Sequence, residues 1–214
     1  ESYGSFAIPG SYRVVNGVDV FDPKFNIVSP GADPEVFFPY TESDRRMEGL
    51  QEQIRDLLFN GERDDARGHI AHPDRPILFA MSRLDHVKNA SGLVTWYANC
   101  PALRERANLL LVGGSVHPEE SEDDDERAQI EHLHRLMDEH ELDRQMRWVH
   151  MQSDKNVVGE IYRMVADRRG AFVQPALFEA FGLTVVEAMS SGLPVFATCY
   201  EIGRASCRER VYTK

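Results

Sequence analysis

The chain has 214 residues, 42% of them hydrophobic and 28% charged, with 24 Lys and Arg against 35 Asp and Glu for a net charge of −11. This is a globular composition and excludes collagen-like or disordered chains. It has no run of about 18 apolar residues, so no membrane span is expected, and the acidic excess is wrong for non-specific nucleic-acid binding, which draws on surplus Lys and Arg.

Glu1-Ser2-Tyr3-Gly4 offers no initiator Met, no basic n-region and no apolar h-region. The chain is therefore expected to begin within a longer protein and to lack a signal peptide. Residues 25–29 read as a strand before Pro30-Gly31, and 41–59 as a polar amphipathic helix. Residues 61–73 are polar and read as a loop. A short apolar run over 76–81 predicts a strand buried on both faces. The spacing of Leu93, Trp96 and Tyr97 predicts a helix over 89–99, with Asn89 as N-cap. Residues 108–112 form a second apolar run, stopped by Gly113-Gly114.

A long helix is expected over 119–140, with Ile130, Leu133, Leu136 and Met137 on one face. Its acidic start, 119–126, suits the helix dipole better than a metal site, because hard-cation loops interleave turn residues with the ligands. Strands follow over 146–150, 170–174 and 193–198, and helices over 157–166 and 184–191. Strand and helix alternate, as in a Rossmann-like α/β fold: a parallel sheet with helices on both faces. Residues 201–214 are basic and without apolar pattern; they are expected to be a non-native tail. Cys100, Cys199 and Cys207 have neither metal spacing nor the number for a disulfide scaffold. A reducing, cytoplasmic setting is the expectation.

Open α/β sheets bind ligands beyond the C-terminal ends of their strands, and three such loops carry chemistry. Ser82-Arg83-Leu84-Asp85-His86-Val87-Lys88-Asn89 places Arg83 and Lys88 between a strand and a helix start, which suits an anion. After 170–174, the segment from Gln174 to Met189 has Glu179 in a loop, Phe181-Gly182-Leu183-Thr184 leading into a helix, and Glu187 about one turn inside it. Gly182 lets backbone approach a ligand, the helix-start N–H groups suit a phosphate, and the two carboxylates can accept sugar hydroxyls. The third loop is His150-Met151-Gln152-Ser153-Asp154, whose polar groups can face a base edge. Val112-Gly113-Gly114-Ser115 does not supply G-x-G-x-x-G, which argues against a dinucleotide dehydrogenase. No His is assigned a catalytic role, His86 and His150 included.

Glu179 to Glu187 resembles the E-x7-E motif of the retaining GT-B glycosyltransferases. The chain as a whole resembles their GT4 group, and within it the sucrose synthases. Phe21-Asp22-Pro23-Lys24-Phe25-Asn26-Ile27-Val28-Ser29-Pro30-Gly31-Ala32-Asp33 is the most family-specific string. Residues 82–89, Gly92-Leu93-Val94, Val112-Gly113-Gly114 and Gly170-Ala171-Phe172-Val173-Gln174-Pro175 also match.

The resemblance implies the incomplete nucleotide-sugar (donor) domain of a GT-B enzyme over 21–200, with 1–20 as the end of the acceptor domain and its crossover. It implies reversible glucosyl transfer between UDP-glucose and fructose, from sucrose and UDP or ADP in the cleavage direction, with retention and without a metal or other cofactor. Arg83 and Lys88 match cations at the diphosphate, Glu179 an acid on glucose hydroxyls, and Phe181, Gly182, Leu183 and Thr184 the backbone at glucose and phosphate. Glu187 matches an acid on the ribose, and Gln152 a residue beside uracil. An Asn that the family has near uridine falls at Val158, with Asn156 two residues earlier. The partners implied are a nucleotide sugar and, in the full protein, fructose or sucrose, in a homo-oligomer. The piece alone is expected to be inactive. Sucrose-phosphate synthase, another GT4 enzyme, or a catalytically silent nucleotide-sugar-binding module are the alternative readings.

Overall fold

The computed structural model describes residues 32–60, 62–179 and 182–198. The strands in chain order are β1 (Ala66–Gly68), β2 (Ile77–Met81), β3 (Asn108–Val112), β4 (Met146–Val149), β5 (Ala171–Gln174) and β6 (Val195–Ala197). They form one sheet in the order β1-β4-β3-β2-β5-β6. All neighbours are parallel except β1 and β4. Ile77 to Met81 pair with Asn108 to Val112, and Leu78 and Phe79 also pair with Ala171 and Phe172. The strand order therefore reverses at β2, between β3 and β5. That switch point is where an open α/β sheet leaves a crevice at the C-terminal strand ends.

Among the described residues, six α-helices accompany the sheet: α1 (Glu48–Phe59), α2 (Ala90–Ala98), α3 (Pro101–Arg104), α4 (Asp124–Glu139), α5 (Lys155–Asp167) and α6 (Leu183–Ser190). Alternate side chains of β3 serve opposite faces, as strand geometry requires. Leu110 and Val112 join the core beneath α1, α5 and α6, with Ile54, Leu58, Tyr162, Val165 and Val185. Leu109 and Leu111 join the core beneath α2 and α4, with Leu93, Tyr97, Ile130 and Leu133. Phe79, Phe172 and Tyr162 meet edge-on or tilted with ring centroids 5.2–5.6 Å apart, a favoured aromatic geometry.

The expected strands and helices of the central alternation are present, but several boundaries differ. Instead of one helix over 41–59, a 3-10 turn (Ser43–Arg45) precedes α1. Arg46 lies between them in extended conformation, where its guanidinium reaches Glu160 and Asp167. The helix expected over 119–140 starts only at Asp124. Pro118–Glu120 is a separate 3-10 turn, and Asp123 caps α4 by accepting from Asp125 N and Glu126 N. The region read as a loop over 61–73 contains β1, whose pairing with β4 puts an antiparallel strand on the sheet edge. The short α3 was not foreseen; Pro101 opens it, at a position where a missing N–H costs nothing. The strand expected over 25–29 and the tail 201–214 lie outside the described residues. At the other edge, β6 leaves Phe196 63% exposed among the described residues.

Candidate functional site

The loop after β2 is built by its own hydrogen bonds. Asp85 accepts from Lys88 N at 2.9 Å and so caps the 3-10 turn His86–Lys88. His86 N donates to Asp125 Oδ2 at 3.0 Å, so the acidic first turn of α4 anchors this loop. Asn89 does occupy the N-cap position of α2, but in left-handed conformation (φ 55) and without a side-chain cap bond. Its amide instead donates to Pro175 O at 3.0 Å. Gly92 makes this possible, since a Cβ there would overlap the Asn89 side chain. Leu177 N also donates to Val87 O at 2.8 Å. The loops after β2 and β5 are thus joined directly across the switch point.

Two of the expected site residues meet at this junction. Lys88 Nζ lies 2.6 Å from Glu179 Oε2, with side chains 20% and 12% exposed. Glu179 Oε1 accepts from Gly182 N at 3.2 Å. Gly182 caps α6 in left-handed conformation, with φ 64, which glycine adopts without strain. The first bonds within α6 come from Val185 N and Val186 N to Gly182 O. The amides of Leu183 and Thr184 precede them, at the positive end of the helix dipole. Gln174, the last residue of β5, donates from Nε2 to Thr184 Oγ1 at 3.1 Å and to Glu179 Oε2 at 3.4 Å.

Glu187 sits one turn into α6 against Tyr162 of α5. The Tyr162 hydroxyl lies 3.3 Å from Thr184 O and 3.4 Å from Glu187 Oε2. Burial raises the Glu187 carboxyl from its ordinary 4.5 to about 7, against the opposing pull of the Tyr162 hydroxyl and the Lys155 ammonium. Burial, reinforced by the Glu187 charge, also pushes the Tyr162 hydroxyl well above 10. A raised carboxyl pKa means that the folded chain holds this proton more tightly than the unfolded chain. The stabilisation is full below pH 4.5 and is lost as pH rises through about 7. Urea unfolding at a series of pH values is expected to show stability falling across that window, and Glu187→Gln is expected to remove this part of the fall. An identical pH profile for the two proteins would contradict the assignment.

Arg83 and Gln152 stand apart from this network. The Arg83 side chain is 80% exposed and lies 3.3 Å from Asp85 Oδ2. Gln152 donates to His150 O at 2.8 Å, within its own loop beyond β4. Phe181 lies outside the described residues. Residue-by-residue reading of the sequence missed Gln174, Tyr162 and Asn89 as parts of the site. Gln174 did leave a signal: it is a polar residue ending an otherwise apolar strand, and the fold buries it. Among the described residues, no cluster of three or more His, Cys, Asp or Glu is placed to hold a metal. No described helix is long and apolar enough to cross a membrane.

Solved structures share this architecture. The C-terminal domain of a glycosyl transferase group 1 family protein from Francisella tularensis superposes with a TM-score of 0.52 at 21% identity, over 78% of this chain and 70% of that one. A glycosyltransferase from Rickettsia africae gives 0.53 at 19% identity, over 79% and 38%. The fold is that of one Rossmann-like domain of a GT-B glycosyltransferase. Residues 1–59 match the family model "Sucrose synthase first GT-B domain", and residues 61–208 match "Glycosyl transferases group 1". The chain belongs to the glycosyl transferases group 1 family and is of the sucrose synthase-like kind. It is 56% identical over 201 residues to the sucrose synthase of Nitrosomonas europaea, and 52% identical over 201 residues to sucrose synthase 3 of Arabidopsis thaliana. Each alignment covers 94% of this chain, but the chain spans only 25% of either relative.

Proposed function

We propose that residues 21–200 are the nucleotide-sugar domain of a retaining glycosyltransferase that moves glucose reversibly between UDP and fructose. Residues 1–20 are then the end of the acceptor domain and its crossover, and 201–214 a non-native tail. The observation that carries this reading is the meeting of Lys88, Glu179 and the start of α6 at the switch point, a cation and a carboxylate supplied by different loops. Such a site suits a ligand that is anionic at one end and rich in hydroxyls at the other. Lys88 and Arg83 neutralise the diphosphate as the glucosyl bond breaks, a stabilisation of developing charge. The amides of Leu183 and Thr184, at the start of α6, face phosphate and glucose. Glu179 accepts from glucose hydroxyls, Glu187 from the ribose, and Gln152 lies beside the base.

In the cleavage direction the glucosyl–fructosyl bond of sucrose breaks and a glucosyl–phosphate bond forms on UDP or ADP, with the two side-chain cations in place of a metal. Transfer needs acceptor and donor aligned in one cleft, so this chain alone is a binding half-site and the complete protein, a homo-oligomer, is the enzyme. The test is calorimetric titration of the chain with UDP and ADP, beside Arg83→Ala and Glu187→Gln. Saturable binding is expected, weakened by both substitutions. Arg83→Ala is expected to cost about threefold to tenfold, because an exposed cation is partly screened. Binding that neither substitution alters would overturn the assignment.

A further inference from the structure

Gln174 is 2% exposed, yet its side-chain amide points at two functional groups and not at backbone. An NH2 group has two protons, so Thr184 Oγ1 and Glu179 Oε2 can each receive one. Glu179 Oε2 is shared with the Lys88 ammonium at 2.6 Å, and its other oxygen takes Gly182 N at 3.2 Å. The donors differ in kind. Lys88 is a charged group on a flexible stem in a loop, free to swing toward a stronger anion. Gln174 is locked in the interior at the end of a strand, and Gly182 N is fixed by the left-handed turn.

A diphosphate at Lys88 competes for the ammonium that now pairs with Glu179. Gln174 and Gly182 N are then fixed donors that still hold the carboxylate's orientation. Resting on the function proposed above, we propose that Gln174 is a positioning residue. It holds the Glu179 carboxylate and the Thr184 hydroxyl toward the hexosyl unit while Lys88 turns to the diphosphate. Gln174 thereby governs how much a nucleoside diphosphate sugar gains from its sugar, and leaves the affinity for the bare nucleoside diphosphate unchanged. A buried amide that served packing alone would affect both ligands together.

The comparison uses the 214-residue chain, titrated calorimetrically with UDP and with UDP-glucose, for the wild type, Gln174→Met, Gln174→Leu and Glu179→Gln. Gln174→Met keeps the volume and removes the donors; it is expected to weaken UDP-glucose about tenfold, the size of one lost hydrogen bond to a charged group, and to leave UDP within about twofold. Gln174→Leu, which also removes the donors without adding charge, is expected to do the same and provides the comparison if Gln174→Met does not fold by circular dichroism. Equal losses for UDP and UDP-glucose, or wild-type affinity for UDP-glucose in either variant, would overturn the proposal. If Glu179→Gln discriminates between the ligands and the Gln174 variants do not, only the role of Gln174 falls. If Glu179→Gln also fails to discriminate, the placement of Glu179 at the sugar falls, and the role of Gln174 with it.

Discussion

Replacing Glu160 by Gln is expected to lower the unfolding free energy by about 3–5 kcal/mol, the cost of leaving buried charge without its partner. Glu160 has no exposed side-chain surface and Arg163 is 1% exposed. Glu160 Oε1 takes Arg163 Nη2 at 2.8 Å, and Oε2 takes Arg46 Nε at 2.7 Å. The Arg163 guanidinium also donates to Val36 O at 2.7 Å and lies 3.8 Å from the ring centre of Phe38. Burial lowers the Arg163 pKa despite its bond to Glu160, so its charge is maintained against the environment. Without the carboxylate, two guanidiniums face each other with little water to screen them.

The same network clamps the segment from Val36 to Arg46 onto α5. That segment and α1 fall within the match to the first GT-B domain, but physically they cover the described sheet. Urea unfolding of Glu160→Gln beside the wild type checks the magnitude, and a loss below about 1 kcal/mol would mean that the pair is solvated. Arg45→Ala, at a side chain 35% exposed and paired with Glu42 at the surface, is expected to cost under about 1 kcal/mol.

Replacing Lys88 by Ala is expected to weaken UDP binding about 30-fold to 100-fold, roughly the 2–3 kcal/mol of a charge-assisted bond to phosphate in a partly buried site. The fold should tolerate the change, because Glu179 keeps Gln174 and Gly182 N as donors. Glu179→Gln separates competition from simple damage. It removes the carboxylate that now occupies the ammonium, so UDP is expected to bind about twofold to fivefold more tightly. UDP-glucose, whose hexosyl unit the proposed function places on that carboxylate, is expected to lose its advantage. Calorimetry with the two ligands reads both effects. If Lys88→Ala left UDP affinity unchanged, the diphosphate would have to lie elsewhere.

Much of the fold was legible because the sheet is buried on both faces. The runs at 77–81 and 108–112 carry no polar face to confuse their period. The loops at the strand ends followed from topology alone, and with them Lys88, Glu179 and Glu187. Periodicity identifies a face but not what covers it. Glu160 and Arg163 lie three apart on α5, off its apolar spacing, and the segment from Val36 to Met47 buries them. The edge strand β1 was hidden for a related reason. Ala66-Arg67-Gly68 has no apolar alternation, and its pairing depends on β4 and on Arg67 reaching Asp138, Asp143 and His134 from α4 and beyond. Gln174 and Tyr162 act through contacts 5 to 25 residues away, and one sequence does not display such pairings.

Whether the switch-point cluster is a nucleotide-sugar site is tested by titrating the isotope-labelled chain with UDP-glucose and following its amide and lysine NMR signals. Saturable shifts are expected at Gly182, Leu183 and Thr184, at the Lys88 side chain and around Glu187, with the signals of β1 unmoved. Saturable shifts centred on β1 and the loop before it, or no shifts in a folded chain, would contradict that assignment.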